Sequence, residues 1–233
     1  MLLRRAALAL LAALVALPVL AGCSGGGSSQ SAPDLLAKAK KTLDDTKTVH
    51  FLLSSSGAPS TGTVLTGGEG DISRPSSFEG TLKVQAVGSS VNLKVVSIGG
   101  TVYAQLPFAK SYGTIDPASF GFGDPGKLLD PKTGISQLLT AAQHPTLGDE
   151  KRVGGEVVRE VTANLPGDLV QQVLTSKDPS QPVQAQFSIA TDSGELRRAV
   201  LTGPFFDAEN DSTYTIELSD FGEDVDITAP PTS

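Results

Sequence analysis

Alternation of apolar and polar residues limits what this chain of 233 residues can fold into more than any other feature. Several short runs have an apolar side chain at every second position, which is typical of β-strands with one buried and one wetted face. The apolar positions of the clearest runs are Leu82, Val84, Val91, Leu93, Val95, Val183, Ala185, Phe187 and Ile189. Turn residues such as Gly99 and Gly100 separate neighbouring runs, so the pattern predicts an antiparallel meander.

Three stretches have helical rather than strand periodicity: residues 33–47, 134–143 and 166–175. Each has a single apolar stripe, and Ser31 or Asp34 can cap the first of them. Together with a weaker, glycine-broken strand over residues 62–73 and a short strand at 225–227, we count nine or ten predicted strands. The sequence therefore predicts an α+β fold with a mainly antiparallel sheet and helices on one face.

The N-terminus indicates export and an acyl anchor. Arg4 and Arg5 precede an apolar run that is short for a membrane span and contains Pro18, and Cys23 follows small residues. This pattern predicts a lipoprotein signal over residues 1–22, cleavage before Cys23 and acylation of Cys23 on the extracytoplasmic face of the cell membrane. Residues 23–31 then form the lipidated cysteine and a flexible tether. The alternative is an ordinary secretory signal with an incidental cysteine.

The charge balance excludes some partners of residues 32–233, which we expect to form a single, monomeric domain. Of the 18 basic residues, Arg4 and Arg5 leave with the signal, so 16 remain against 25 acidic residues. Nucleic acids are unsuitable partners because their affinity for proteins depends on Lys and Arg at the phosphates. The net acidity also disfavours adsorption to anionic lipid, so the acyl chains must hold the protein at the membrane.

No catalytic, cofactor or metal motif stands out in the sequence. His50 and His144 lie on separate predicted elements, and no nucleophile elbow or zinc signature is present. Asp207, Glu209 and Asp211 resemble the start of a calcium loop but lack its glycine and its closing acid, so we interpret them as a solvated turn. We therefore expect no enzyme activity, no cofactor and no metal.

The inner face of the predicted sheet has two interpretations. Its side chains are mostly aliphatic, with few aromatic residues, so it is either an ordinary closed core or the lining of an apolar space beneath the helices. Phe120 and Phe122 lie in the glycine-rich segment 119–123, where they are either packing residues or a lid over such a space.

Several motifs along the chain resemble a known family. Residues 80–84 (GTLKV), 124–135 (DPGKLLDPKTGI) and 218–231 (LSDFGEDVDITAPP) follow the Cys23 signal in the order found in the actinobacterial LppX/LprA/LprF/LprG lipoproteins, and they resemble the LprG branch most. The resemblance covers essentially the whole mature chain. The Phe-Gly-Phe-Gly of residues 120–123 departs from the family pattern.

This resemblance implies a U-shaped antiparallel half-barrel, similar to LolA and LolB, with helices on its concave face and an apolar cavity between them. It implies binding of triacylated lipids or glycolipids, which are carried across the cell envelope together with a major-facilitator transporter. Leu82 corresponds by position to a residue that the family has near the cavity mouth. We expect the nine apolar positions named in the first paragraph to line the cavity.

Two rival functions remain on the sequence alone. One is a closed-core accessory lipoprotein that assists a transporter without carrying lipid. The other is a hydrolase of lipid esters, whose catalytic residues the sequence does not identify.

Overall fold

A computed structural model describes residues 30–59, 62–86, 88–120, 122–153 and 155–232. Cys23, the signal over residues 1–22 and most of the tether lie outside the described residues. Eleven strands form one sheet in the described part of the chain. They are β1 Thr48–Ser56, β2 Val64–Ser73, β3 Ser77–Ala86, β4 Ser89–Ile98, β5 Thr101–Gln105, β6 Gly113–Thr114, β7 Gln143–Val153, β8 Glu156–Leu165, β9 Val183–Ala190, β10 Leu196–Gly203 and β11 Ser212–Ser219.

Three α-helices accompany the sheet: α1 Ala32–Asp45, α2 Ile135–Thr140 and α3 Gly167–Val170. The predicted cap is confirmed, because the Ser31 hydroxyl accepts a hydrogen bond from the Asp34 N–H. The second and third helices are shorter than predicted. Gln143 already belongs to β7, and the chain after Val170 continues as hydrogen-bonded turns. None of the helices in the described ranges is long and apolar enough to cross a membrane.

The sheet has the order β6-β5-β4-β3-β2-β1-β11-β10-β9-β8-β7, with every neighbouring pair antiparallel. The chain therefore builds one half of the sheet outward from β1 to β6 and the other half inward from β7 to β11. The first and last strands meet at the centre, and residues 115–142 connect the two edges. The result is the predicted α+β half-barrel with its helices on the concave face.

The buried core lies on that concave face. Alternating residues of the strands contact the apolar stripe of α1, in which Leu35, Leu36 and Leu43 are almost completely buried. The side chain of Arg74, in the turn between β2 and β3, donates hydrogen bonds to the carbonyl oxygens of Leu43 and Thr46. The Leu43 carbonyl also accepts a hydrogen bond from the Thr46 N–H at 3.3 Å. The two bonds from Arg74 therefore join the C-terminal carbonyl groups of α1 to the turn between β2 and β3 and hold the helix against one end of the sheet.

The predicted strand at residues 225–227 is wrong. The strand that precedes the tail, β11, is paired with β1 on one edge and with β10 on the other. The tail therefore finds no free edge beside β11. The tail instead continues without regular secondary structure until Thr232 forms an isolated parallel bridge with Tyr112, beside β6. The glycine-rich strand β2 pairs with β3 through a register shift between Leu65 and Gly67.

Candidate functional site

A partly open cavity of about 510 Å³ lies between the centre of the sheet and the segments that cross its concave face. On the sheet side, the cavity is lined by inward-facing side chains of four neighbouring strands: Phe51, Leu53, Leu65, Leu82 and Ile216. These side chains belong to β1, β2, β3 and β11, which are neighbours in the sheet. The cavity wall is therefore made where the two halves of the chain meet.

Residues 122–135, which we call the roof, cover the cavity from the opposite side. The Asp124 carboxylate accepts hydrogen bonds from the Ser97 hydroxyl and from the Gly126 N–H, at 2.9 Å. Gly126 fits closely against the sheet, because a Cβ there would lie 2.9 Å from Ser97 Oγ and 3.1 Å from the Ser76 carbonyl carbon. Asp124 and Gly126 therefore fasten this end of the roof to the sheet.

The far end of the roof is held by its own backbone. The Asp130 carboxylate accepts hydrogen bonds from the N–H groups of Lys132 and Thr133 at 2.8 and 2.9 Å. The bond from Lys132 is the main reason that the pKa of Asp130 lies below its ordinary value. The Gly134 N–H donates to the Asp130 carbonyl oxygen at 2.8 Å, and α2 begins directly afterwards. The DPGKLLDPKTGI motif thus forms the cavity roof.

The third wall is the turn after α3, where Val173 and Leu174 contribute apolar side chains. Polar groups are confined to a few positions of the lining: Asp124, Lys127, Asp130, Thr133 and Gln172. The lining thus combines a mainly apolar surface with a small number of polar groups, as in sites that bind small apolar molecules or chains.

Two of the predicted site residues lie in this cavity: Leu82 in the sheet wall and Phe122 in the roof. Phe120 packs beside Phe122 with ring centroids 6.4 Å apart, but it does not line the cavity. The role of these two phenylalanines as a lid stays a prediction.

The remaining predicted lining residues lie elsewhere. Val84, Leu93, Val95, Val183, Phe187 and Ile189 are buried in the packed core and do not border the cavity. Val91 and Ala185 border two shallow grooves, one beside Phe108 and one beside His144. Sequence reasoning missed Phe51, Leu53, Leu65 and Ile216, whose alternation marks them as inward-facing but carries no sign that the space above them is open.

Neither a histidine nor a serine is among the described residues that line the cavity. His50 Nδ1 lies 2.7 Å from Asp71 Oδ1 in a partly exposed pair that does not line the cavity. The Asp207 carboxylate accepts hydrogen bonds from the N–H groups of Glu209 and Asn210, a local turn of the kind predicted. Within the ranges that the structure describes, no group of three His, Cys, Asp or Glu residues is placed to hold a metal ion.

The fold and cavity define an open antiparallel half-barrel with an apolar chamber at its centre. The model of the LppX_LprAFG lipoprotein family matches residues 31–227, so the chain belongs to this family. The family predicted from the sequence motifs is thereby confirmed.

Individual relatives agree with this assignment. The lipoarabinomannan carrier protein LprG of Mycobacterium tuberculosis is 27% identical over 97% of this chain and 96% of its own length. The crystal structure of LprF from Mycobacterium bovis superimposes with a TM-score of 0.71 at 18% identity, over 85% of this chain and 96% of LprF. The crystal structure of M. tuberculosis LppX gives a TM-score of 0.62 at 19% identity, over 84% of this chain and 99% of LppX. The two crystal structures share the half-barrel fold.

Proposed function

We propose that this protein is a membrane-anchored carrier that binds the acyl chains of triacylated lipids or glycolipids in the central cavity and moves them across the cell envelope. The observation that carries the proposal is the mainly apolar cavity of about 510 Å³ between the sheet and the roof. The relative LprG is named for carrying lipoarabinomannan, which supports a lipid ligand of this general class.

The cavity size bears on how such a lipid binds. A volume of about 510 Å³ lies within the range of roughly 300–1,000 Å³ that is usual for a pocket holding one drug-sized ligand. We therefore expect the cavity in this form to take only part of a lipid that has three acyl chains. A lipid with three chains therefore requires the roof to move away from the sheet.

The physical chemistry suits a carrier that works next to a membrane. Removing an acyl chain from water is favourable by about 0.8 kcal/mol per methylene group, whether a bilayer or an apolar cavity receives it. Transfer between bilayer and cavity is thus close to balanced, and it needs neither a catalytic group nor an energy source. Transfer through water is costly, so the cavity mouth must be near the leaflet that supplies the lipid.

The anchor at Cys23 supplies this proximity in the proposal. Acylated Cys23 and the tether over residues 23–31 hold the domain at the extracytoplasmic face of the cell membrane, where a major-facilitator transporter is a candidate partner. We expect Cys23→Ala to leave lipid binding by the purified protein intact and to impair lipid transport in cells. Loss of binding by the purified variant would contradict this division of roles.

The decisive experiment measures bound lipid. We expect solvent extraction and native mass spectrometry of the purified protein to recover acylated lipid. Leu82→Trp fills part of the cavity wall, so it should lower the recovered lipid severalfold while the circular dichroism spectrum is retained. The matched control is Leu52→Trp, because Leu52 is exposed on the opposite face of the sheet.

Two results would replace the proposal with one of its rivals. Lipid-free protein whose Leu82→Trp variant still supports transport in cells would favour the accessory lipoprotein. Labelling of a serine by an alkyl phosphonate probe would favour a lipid hydrolase.

A further inference from the structure

We propose that the loop between β5 and β6 is a docking surface for an anionic lipid bilayer. The loop, residues 106–112, has the sequence LPFAKSY. The exposed face of β3 and β4 lies beside this loop. The loop carries apolar side chains at its tip, and lysines lie on the loop and on the neighbouring strands. This surface is separate from the cavity and does not depend on what the cavity holds.

The apolar tip is the most exposed apolar feature of the described residues. Phe108 is fully exposed, and Leu106 is 46% exposed. Phenylalanine is a bulky residue, and exposing it to water brings no gain in folding free energy. Together, the exposed side chains of Phe108 and Leu106 form an apolar patch of the kind that marks a site of contact with a partner surface.

The loop backbone holds the phenylalanine outward. Phe108 has φ of 68°, in the left-handed region that a residue with a bulky side chain rarely adopts. The Ala109 N–H donates a hydrogen bond to the Leu106 carbonyl oxygen at 3.0 Å, and Gln105 Nε2 donates to the Ala109 carbonyl oxygen at 3.1 Å. The projecting turn is thus a defined structure, and its strained residue carries the exposed ring.

Lysines surround the tip. Lys94 lines the same groove as Leu106 and Phe108, and it pairs with Gln105 in the β4–β5 register. Lys83 pairs with Asn92, another residue of the groove, and Lys110 follows the tip directly. All three lysines are exposed, and none forms an ion pair within the described parts of the chain. No acidic residue lines the groove, and Glu79, on the same face of β3 as Lys83, lies near Tyr112 at the far end of the loop.

The distribution of charge selects an anionic lipid surface as the partner. The other exposed aliphatic side chain of comparable size, Leu52, lies in a groove whose lining has one arginine, Arg197, against five acidic residues: Glu69, Glu156, Glu195, Glu217 and Asp220. Arg197 is already paired with Glu156 and Glu195, so the groove remains acidic and an anionic membrane would repel it. The Phe108 surface has the opposite character, because an apolar tip enters the lipid interface while lysines remain at the head groups. The chain as a whole is acidic, but this part of its surface is basic and apolar.

The sheet separates this surface from the cavity. Leu82 lines the cavity, and its neighbour Lys83 points to the opposite, exposed face of β3. Docking at the Phe108 surface therefore leaves the cavity lining uncovered.

The test uses the absence of tryptophan from the sequence. Phe108→Trp introduces a single fluorescent reporter at the tip, and Leu52→Trp introduces the matched reporter in the acidic groove. Each full-length variant is reconstituted through its own N-terminal segment into phosphatidylcholine vesicles, with or without phosphatidylglycerol and with brominated acyl chains as quenchers.

In phosphatidylglycerol vesicles, we expect the emission of the tryptophan at position 108 to shift to shorter wavelength and to be quenched by the brominated chains. The emission of the tryptophan at position 52 should remain that of a water-exposed side chain. Replacing Lys83, Lys94 and Lys110 by Gln should lower the inserted-to-free ratio by about fivefold per lysine. Equal quenching at positions 108 and 52 would overturn the proposal. A blue shift at position 108 that appears without vesicles as protein concentration rises would also overturn it, since a second copy would then be the partner. Extraction of bound lipid from the same variants tests the carrier function separately.

Discussion

The phenol of Tyr214 on β11 donates a hydrogen bond to the carbonyl oxygen of Leu65 on β2, although β1 lies between these two strands. Leu65 stands at the register shift of β2, and its side chain lines the cavity. The Tyr214 ring is held in place by Phe205 and Phe206, with ring centroids 5.0 and 5.2 Å away. One buried hydroxyl thus connects the two halves of the sheet at the cavity wall.

We expect Tyr214→Phe to lower the free energy of unfolding by about 1–3 kcal/mol, because the buried carbonyl of Leu65 loses its partner. Urea denaturation followed by circular dichroism measures this change. Tyr103→Phe is the control, since the Tyr103 hydroxyl makes no hydrogen bond in the described residues and its removal should change stability by less than about 0.5 kcal/mol. Equal effects of the two substitutions would contradict a role for this bond.

The same tyrosine predicts a loss of stability in alkaline solution. Burial raises the pKa of Tyr214 above its ordinary value near 10. The unfolded chain therefore releases this proton first, and the stabilisation is complete below pH ~10 and is lost as pH rises from there toward the folded-state pKa. We expect the free energy of unfolding, measured in urea between pH 8 and 11, to fall above pH ~10. The fall should be smaller in Tyr214→Phe, with a residual part from Tyr112, whose pKa is also raised, mainly by burial.

Phe122 forms part of the roof, so its removal should ease ligand exchange. We expect Phe122→Ala to raise the dissociation rate of a bound fluorescent acyl lipid severalfold, measured by transfer to acceptor vesicles. Phe120→Ala is the matched control, because Phe120 packs beside Phe122 without lining the cavity. A roof that opens elsewhere would leave the rate unchanged in the Phe122→Ala variant.

Gly70 and Gly80 face each other in the β2–β3 pair beneath the ring of Phe78. A Cβ at Gly80 would lie 2.2 Å from the Glu69 carbonyl oxygen and 2.7 Å from the Phe78 ring. We expect Gly80→Val to cost at least about 3 kcal/mol of stability, since it must displace the backbone or the ring.

Gly113→Val on the edge strand β6 provides the comparison for this substitution. Nothing lies within 4 Å of a Cβ at Gly113, so we expect a change below about 0.5 kcal/mol in the same urea denaturation. A mild Gly80→Val phenotype would mean that β2 and β3 can separate, which the packing of Phe78 on Phe51, with centroids 5.7 Å apart, argues against.

The elements of this fold that could be predicted from the sequence are those set by local chemistry. Alternation identified most of the long strands, Ser31 marked the start of α1, and Gly99 and Gly100, with φ of 59° and 86°, form the turn expected of them. The strand predicted at residues 225–227 failed because alternation cannot reveal whether a neighbouring edge is free.

The cavity depends on contacts between distant parts of the chain, and alternation alone does not single out its lining. Of the nine expected lining residues only Leu82 borders it, and Phe122, predicted as part of a lid, lies in the roof. Leu82 and Leu93 are paired across β3 and β4, and both face inward, yet only Leu82 borders the open space. The difference comes from where the roof crosses the sheet. That position is fixed by Asp124 and Gly126 against Ser97 and Ser76, and no periodic pattern encodes it.

The pairing of β1 with β11 has a consequence for how the protein is made. Their register joins His50 to Ser219 and Ser56 to Thr213, residues separated by more than 150 positions in sequence. Long-range pairs of this kind close late and slow folding. Because β11 comes last, β1 keeps one unpaired edge until nearly the entire chain has emerged. The half-sheet β1–β6 is thus vulnerable to aggregation while the chain is incomplete, and a chain that ends before Ser212 leaves both β1 and β10 with a permanently open edge.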